Sequence, residues 1–166
     1  MAATIINSNL NAVDQLLEQL GTPSWDSLCG KLEALNDQLE QAWSPISHLN
    51  GVLQTEALRE NYEKCLPLLS NYSTQLGQNK RLFTAFQALR NSDEFTQLES
   101  AQQQVIENNL RDFSLAGIAL DDEEQTRYGE LKQQLSEASN QYSNNVLDAT
   151  QAWFKHIKNV NDSQGM

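Results

Sequence analysis

DDEEQTRYGELKQQLSEASNQYSNNVLDATQAW, residues Asp121 to Trp153, is the stretch whose reading decides the fold. It holds no Pro and a single Gly. Tyr128, Leu131, Leu135, Ala138, Tyr142, Asn145, Ala149 and Trp153 recur at steps of three and four. That spacing lines residues up on one face of a helix, so it predicts one long helix over 121–153. Asp121, Asp122, Glu123 and Glu124 crowd its start, where the helix dipole favours negative charge. The first two are also candidate caps for orphan backbone N–H groups. Propensity alone stabilises a helix little in water, so this one needs a packing partner, and the apolar stripe is the face expected to be buried. On that expectation Leu135→Ala costs roughly 2–5 kcal/mol and Gln134→Ala little.

Outward from this stretch the same periodicity recurs. Phe95, Leu98, Val105, Ile106, Leu110 and Phe113 predict one helix, capped at Ser92 or Asp93 and broken at Gly117. Ile118 and Leu120, in the loop after Gly117, are apolar enough to be tucked in. Leu82, Phe83, Phe86 and Leu89 predict a shorter helix ending near Asn91-Ser92. Leu58, Tyr62, Cys65, Leu69, Tyr72 and Leu76 stay in phase across Pro67, between a start at Thr55 and a stop at Gly77. Trp25, Leu28, Leu32, Leu35, Leu39 and Ala42 continue in phase past Pro45 to Ile46 and Leu49. An interior Pro costs ~3 kcal/mol in a helix, so Ser24 to Leu49 reads as a kinked helix or two nearly collinear ones. Ile6, Leu10, Val13, Leu17 and Leu20 mark a first helix, stopped by Gly21-Thr22-Pro23. Ile157 and Val160 extend a weak stripe, and residues 161–166 read as a loose tail. Period-2 alternation persists nowhere, so no strand is expected. The fold class is all-α: one domain, 1–166, a bundle of about six largely antiparallel helices.

Composition narrows the function. With 22 acidic and 11 basic residues the net charge is −11. Phosphate binding needs clustered Lys and Arg, so nucleic acid and an anionic membrane surface are excluded as main partners. No stretch is long and apolar enough to span a membrane, and the N-terminus lacks the pattern of a signal peptide. A cytoplasmic location is expected. Cys29 and Cys65, the two cysteines, lie within helical patterns and read as buried free thiols.

Catalytic chemistry is sparse. His48 and His156 are far apart and no HExxH occurs, so both read as surface or packing residues rather than zinc ligands. Neither cysteine has a His at a recognised motif spacing. There is no Gly-rich phosphate loop and no G-x-S-x-G. Asp121 to Glu124 lack the alternating ligands of a calcium loop. Gln102-Gln103-Gln104 reads as a solvated face. No residue is assigned as catalytic, cofactor-binding or metal-ligating. The exception worth keeping is Tyr142-Ser143-Asn144-Asn145, because adjacent Asn residues lower helix propensity. Asn145 falls on the apolar stripe and needs hydrogen-bond partners if buried. A polar tie to a neighbouring helix is the first reading, and contact with substrate or another domain the second.

Several segments carry a resemblance. LRDF (Leu110 to Phe113), GIAL (Gly117 to Leu120), RYGEL (Arg127 to Leu131) and NQYSNNVLDAT (Asn140 to Thr150) are the strongest. SWDSL (Ser24 to Leu28), SPISHLN (Ser44 to Asn50) and YEKCLPLLSNYST (Tyr62 to Thr74) fit with them in order. Together, from about Leu10 to Trp153, they resemble the N-terminal helical region of the oligopeptidase A family. These are zinc metallopeptidases related to thimet oligopeptidase and neurolysin. The resemblance implies a cytoplasmic endopeptidase that cleaves short peptides inside a deep channel, with this region forming part of the channel wall. It implies zinc in the full-length enzyme, held by a downstream HExxH helix and a later Glu. None of those positions exists here, so the stretch by itself is expected to be inactive and free of zinc. Its implied partner is the remaining catalytic part of the same polypeptide. The alternative is a free-standing helical protein-interaction module related to that region. Cut away from a catalytic part, Trp153, Phe154, Ile157 and Val160 are expected to be uncovered. Self-association across a two-fold axis, or a tail folded back, would hide them.

Overall fold

The computed structural model describes residues 2–53, 55–154, 156 and 158. Among them are seven α-helices and no strand. They are α1 (Ala2–Gln19), α2 (Lys31–Val52), α3 (Glu56–Gly77), α4 (Lys80–Arg90), α5 (Asp93–Gln97), α6 (Ser100–Leu115) and α7 (Asp122–Gln151). The all-α bundle expected from the spacing is the architecture observed. A π-helical turn, Trp25–Gly30, feeds straight into α2.

The helix starts obey local chemistry. Side chains of Ser24, Thr55, Asn79, Ser92 and Asp121 each accept a hydrogen bond from the backbone N–H three residues on. Each such cap stabilises its helix by ~1 kcal/mol. Gly117, at φ +80°, closes α6. Its N–H donates to the Ser114 carbonyl, and that of Ile118 to the Phe113 carbonyl. These two bonds make the left-handed stop that Gly favours, with Ile118 and Phe113 meeting in the core.

Three expectations about boundaries change. The helix expected to run from Ser92 to Gly117 is two, because Leu98 and Glu99 are extended. Gln103 Nε2 donates to the carbonyls of Phe95 and Leu98, and Gln102 Oε1 accepts from the Glu99 N–H. Two members of the glutamine run are therefore the polar groups that satisfy this break, not a solvated face. Second, the element read from Ser24 to Leu49 is a π-helical turn followed by α2, which runs on to Val52; α2 passes through Pro45 and α3 through Pro67 as single elements, as their in-phase stripes allowed. Pro45 and Gln41 are both exposed, so the carbonyl left without its donor lies on the solvent side. Third, α7 ends at Gln151 rather than Trp153. Ile157, Val160 and the tail 161–166 fall outside the described residues.

Burial is uneven. One cluster holds Leu28, Cys29, Leu82, Phe86, Leu89, Phe95, Ile106, Phe113 and Ile118, drawn from the π-turn, α4, α5, α6 and the loop after it. Phe113 meets Phe83 edge-on at 5.6 Å and Phe86 at 5.7 Å. The Trp25 N–H donates to Glu94 at 2.9 Å, tying the π-turn to α5. A second, smaller set on α1 comprises Ile6, Asn9, Val13 and Leu16, with Asn9 Nδ2 on the Leu35 carbonyl at 2.8 Å. By contrast, no described residue from 30 to 71 is buried, and none beyond 118. The distal ends of α2, α3 and α7 thus form an arm held by partial contacts, such as the Trp43–Tyr62 stack at 5.0 Å.

The cysteines divide along the same line. Cys29 is buried and Cys65 only half-buried, and both are free. Burial pushes the Cys29 thiol up to about 11, with Glu94 adding to the shift. Because the thiolate is the nucleophile, iodoacetamide at neutral pH should label Cys65 in the native chain and Cys29 only after unfolding. Equal labelling in a peptide-mapped time course would contradict the placement of Cys29.

Candidate functional site

The seam between α3 and α7 carries the densest polar chemistry that links distant parts of the chain. The two helices run antiparallel: Gln78 meets Gln125 at one end, and Arg59 meets Asp148 at the other. Along it, Asn144 Nδ2 donates to Glu63 at 3.0 Å and Asn140 Nδ2 donates to the same oxygen at 3.4 Å. Gln125 Nε2 donates to the carbonyls of Gly117 and Ile118, fixing the start of α7 on the loop before it. At Gly129 the two helices come close, with Thr74 Cγ2 3.5 Å from where a Cβ would stand.

The faces of α7 are the reverse of the sequence expectation. Ser136, Asn140, Asn144 and Leu147 are half-buried toward α3. The apolar stripe lies about half a helical turn away; Tyr128 near the helix start is half-buried, but Leu135 is 63% exposed and Tyr142 71%. Leu131 and Val146 are open in the same way, as are Trp153 and Phe154 beyond the helix end. Periodicity identifies two different faces but not which one meets a neighbour within this chain. The expected large cost of Leu135→Ala therefore does not apply here. Asn144 makes the polar tie read from the sequence, whereas Asn145 is exposed. Glu63, Arg59 and Gln125 were not singled out by sequence. Their signal was the row of small and polar residues, Gly129, Ser136, Asn140 and Asn144, at helical spacing opposite the apolar stripe.

Electrostatics on the seam centre on one pair. Arg59 Nη1 and Nη2 donate to both Asp148 oxygens at 3.0 and 2.9 Å. These bonds hold the Asp148 carboxyl below its ordinary 3.8 and raise the Arg59 guanidinium. A carboxylate with a lowered folded pKa stabilises the fold above its unfolded value and loses that contribution as pH falls through the folded one. The stability gap between the wild type and Asp148→Asn should therefore shrink as pH drops below 3.8. Acid urea melts showing a constant gap would remove the pair from the seam.

Besides a cleft of about 510 Å³ between Thr74 and Gln125, two clefts flank the seam toward its Arg59–Asp148 end. One, of about 400 Å³, is lined by Ser47, Asn50, Tyr62, Ser139, Asn140 and Ser143 among others, with no charged residue. The other, of about 480 Å³, includes Arg59, Glu63, Glu137 and Asp148. They offer hydroxyls, amides and carboxylates, suited to hydrogen-bonding a polypeptide, and hold no His or Cys that would activate a nucleophile. His48, on α2, and His156, past the end of α7, are both exposed. Among the described residues no group of three or more His, Cys, Asp and Glu is placed to hold a metal, and no helix is long and apolar enough to cross a membrane.

A profile of the neurolysin/thimet oligopeptidase N-terminal domain matches residues 3–125. The chain belongs to the neurolysin/thimet oligopeptidase family. It is 49% identical over 162 residues to oligopeptidase A of Haemophilus influenzae, covering 98% of this chain and 24% of that protein. Oligopeptidase A of Escherichia coli is 45% identical over 161 residues, 97% of this chain and 24% of the relative. A chloroplastic/mitochondrial organellar oligopeptidase A of Arabidopsis thaliana is 35% identical over 158 residues, 95% of this chain and 20% of the relative. The chain thus spans about a quarter of the length of the bacterial relatives. The N-terminal-domain profile stops at Gln125, near the start of α7, while the likeness to oligopeptidase A continues along it.

Proposed function

We propose that this chain is the non-catalytic N-terminal helical part of an oligopeptidase A-like zinc metalloendopeptidase, and that its helices form part of the wall of the channel in which short peptides are cut. The observation that carries the reading is the likeness of almost the whole chain to about a quarter of oligopeptidase A, together with the N-terminal-domain match. The clefts beside the α3–α7 seam support it, since hydroxyls and amides bind backbone without cutting it. The chain acts as one helical domain, 1–166, and its partners are the catalytic part and short peptides. An acidic surface opposes nucleic acid. A free buried thiol at Cys29 fits the reducing cytoplasm.

The described residues do not fit a zinc site, because no three of their His, Cys, Asp and Glu side chains converge to hold a metal. Zinc, which supplies the activated water in such peptidases, belongs on this reading to the catalytic part. This chain contributes binding, orientation and the exclusion of bulky substrates.

The test is a chimera in which this chain replaces the corresponding part of Haemophilus influenzae oligopeptidase A. The chimera should cleave short unstructured peptides, and the chain by itself should cleave none. A soluble chimera that leaves peptides intact, beside an active parent enzyme, would overturn the reading and leave the free-standing interaction module.

A further inference from the structure

We infer that the outward face of α7, built from Leu131, Leu135, Tyr142 and Val146, is the seat on which the catalytic part of the polypeptide docks. The inference rests on the proposed function and names the surface through which it operates. Three observations carry it. α7 turns its polar side to α3 and its apolar side to water, and a helix so arranged gains stability only when another surface covers the apolar side. The exposed stripe spans Leu131 to Val146 of α7 and continues at Trp153 beyond the helix end. Finally, the N-terminal-domain profile ends at Gln125 whereas the likeness to oligopeptidase A continues through α7. Most of α7 therefore lies past the residues that the N-terminal-domain profile covers, toward the remaining three-quarters of the relatives' length.

A second copy of this chain is the weaker occupant. Each copy carries a net charge of −11, so pairing brings like charges together. The stripe itself is uncharged, and Lys132 beside it lies over the Tyr128 ring, 6.0 Å from its centroid. The complementary surface is accordingly apolar, without a dominant charge.

The experiment uses the chimera and the chain in parallel, each as wild type, as Leu131→Lys/Leu135→Lys and as Gln134→Lys. In the chain alone all three should melt together, because the substituted positions are exposed. In the chimera, Leu131→Lys/Leu135→Lys should shorten the half-life under limited proteolysis by about tenfold or more, with Gln134→Lys unchanged. Acetylation of Tyr142 by N-acetylimidazole, read out by peptide mapping, should be fast in the wild-type chain and blocked in the wild-type chimera. This second readout needs no substitution to fold. An active chimera in which Tyr142 stays reactive and the lysines change nothing would overturn the inference while leaving the proposed function standing. An inactive chimera would remove both. Light scattering showing a dimer of the chain that Leu131→Lys/Leu135→Lys dissolves would assign the face to a second copy and overturn it as well.

Discussion

Phe86→Ala should lower the stability of the chain by about 3–5 kcal/mol. Phe86 is 2% exposed and packs against Phe113 at the centre of the one large cluster. Its cluster neighbours Leu82, Leu89 and Ile106 are themselves buried, so the space left by the ring closes only in part. A domain of this size has roughly 5–15 kcal/mol in all, so this one change should take the chain close to unfolding. Leu135→Ala, on the open face of α7, should change stability by no more than about 0.5 kcal/mol. Urea melts of the two variants, side by side, decide whether the core lies in α4–α6 or along α7. Comparable losses would contradict the burial pattern.

Gly117→Val should cost about 2–5 kcal/mol, the sum of a conformational and a steric part. At φ +80° an L-residue loses ~1–2 kcal/mol to the left-handed conformation. The added Cβ also stands 2.6 Å from Leu120 Cδ1, and overpacking of that kind costs ~1–3 kcal/mol. Gly117→Asn should lose less, since Asn tolerates the left-handed region better than a β-branched residue. Gly77 borders the same corner, where an added Cβ would lie 2.6 Å from Ala116 Cβ. Gly77→Ala carries no left-handed cost but meets a Cβ that cannot turn aside as the Leu120 tip can, so it should cost ~1–3 kcal/mol through overpacking alone. Thermal melts that rank Asn with Val at 117 would refute the conformational part of the account.

What the sequence disclosed was what local chemistry determines. Ser24, Thr55, Ser92 and Asp121 are caps whose partners lie three residues away, so their signal is complete within one turn. Gly117 and Ile118 were legible for the same reason. The break at Leu98–Glu99 was not, because Phe95, Leu98, Ile106 and Phe113 stay in helical phase across it. Only the side chains of Gln102 and Gln103, reaching back to the backbone, mark it. The orientation of α7 was hidden by a different cause. Its apolar stripe is real, but nothing else among the described residues covers it. At the seam, Asn144 was legible from its low helix propensity, whereas Glu63 was not, since a Glu on a helix looks the same whether it meets water or a partner.

The uneven burial has a kinetic consequence. A chain with its tight packing at one end does not open as a unit. It opens in stages, each with its own free energy. The arm, where no side chain of α2 after Gly30 or of α7 is buried, should release first. Its amides exchange with solvent through local fraying governed by the α3–α7 ties, while those of α4 and α6 exchange only when the whole cluster comes apart. A protease meeting the chain by itself should enter at the α2–α3 hairpin and near the end of α7, and leave α4–α6 as the resistant remnant. Anything that settles on α7 should slow those early steps, so the lifetime of the arm reports whether that face is covered.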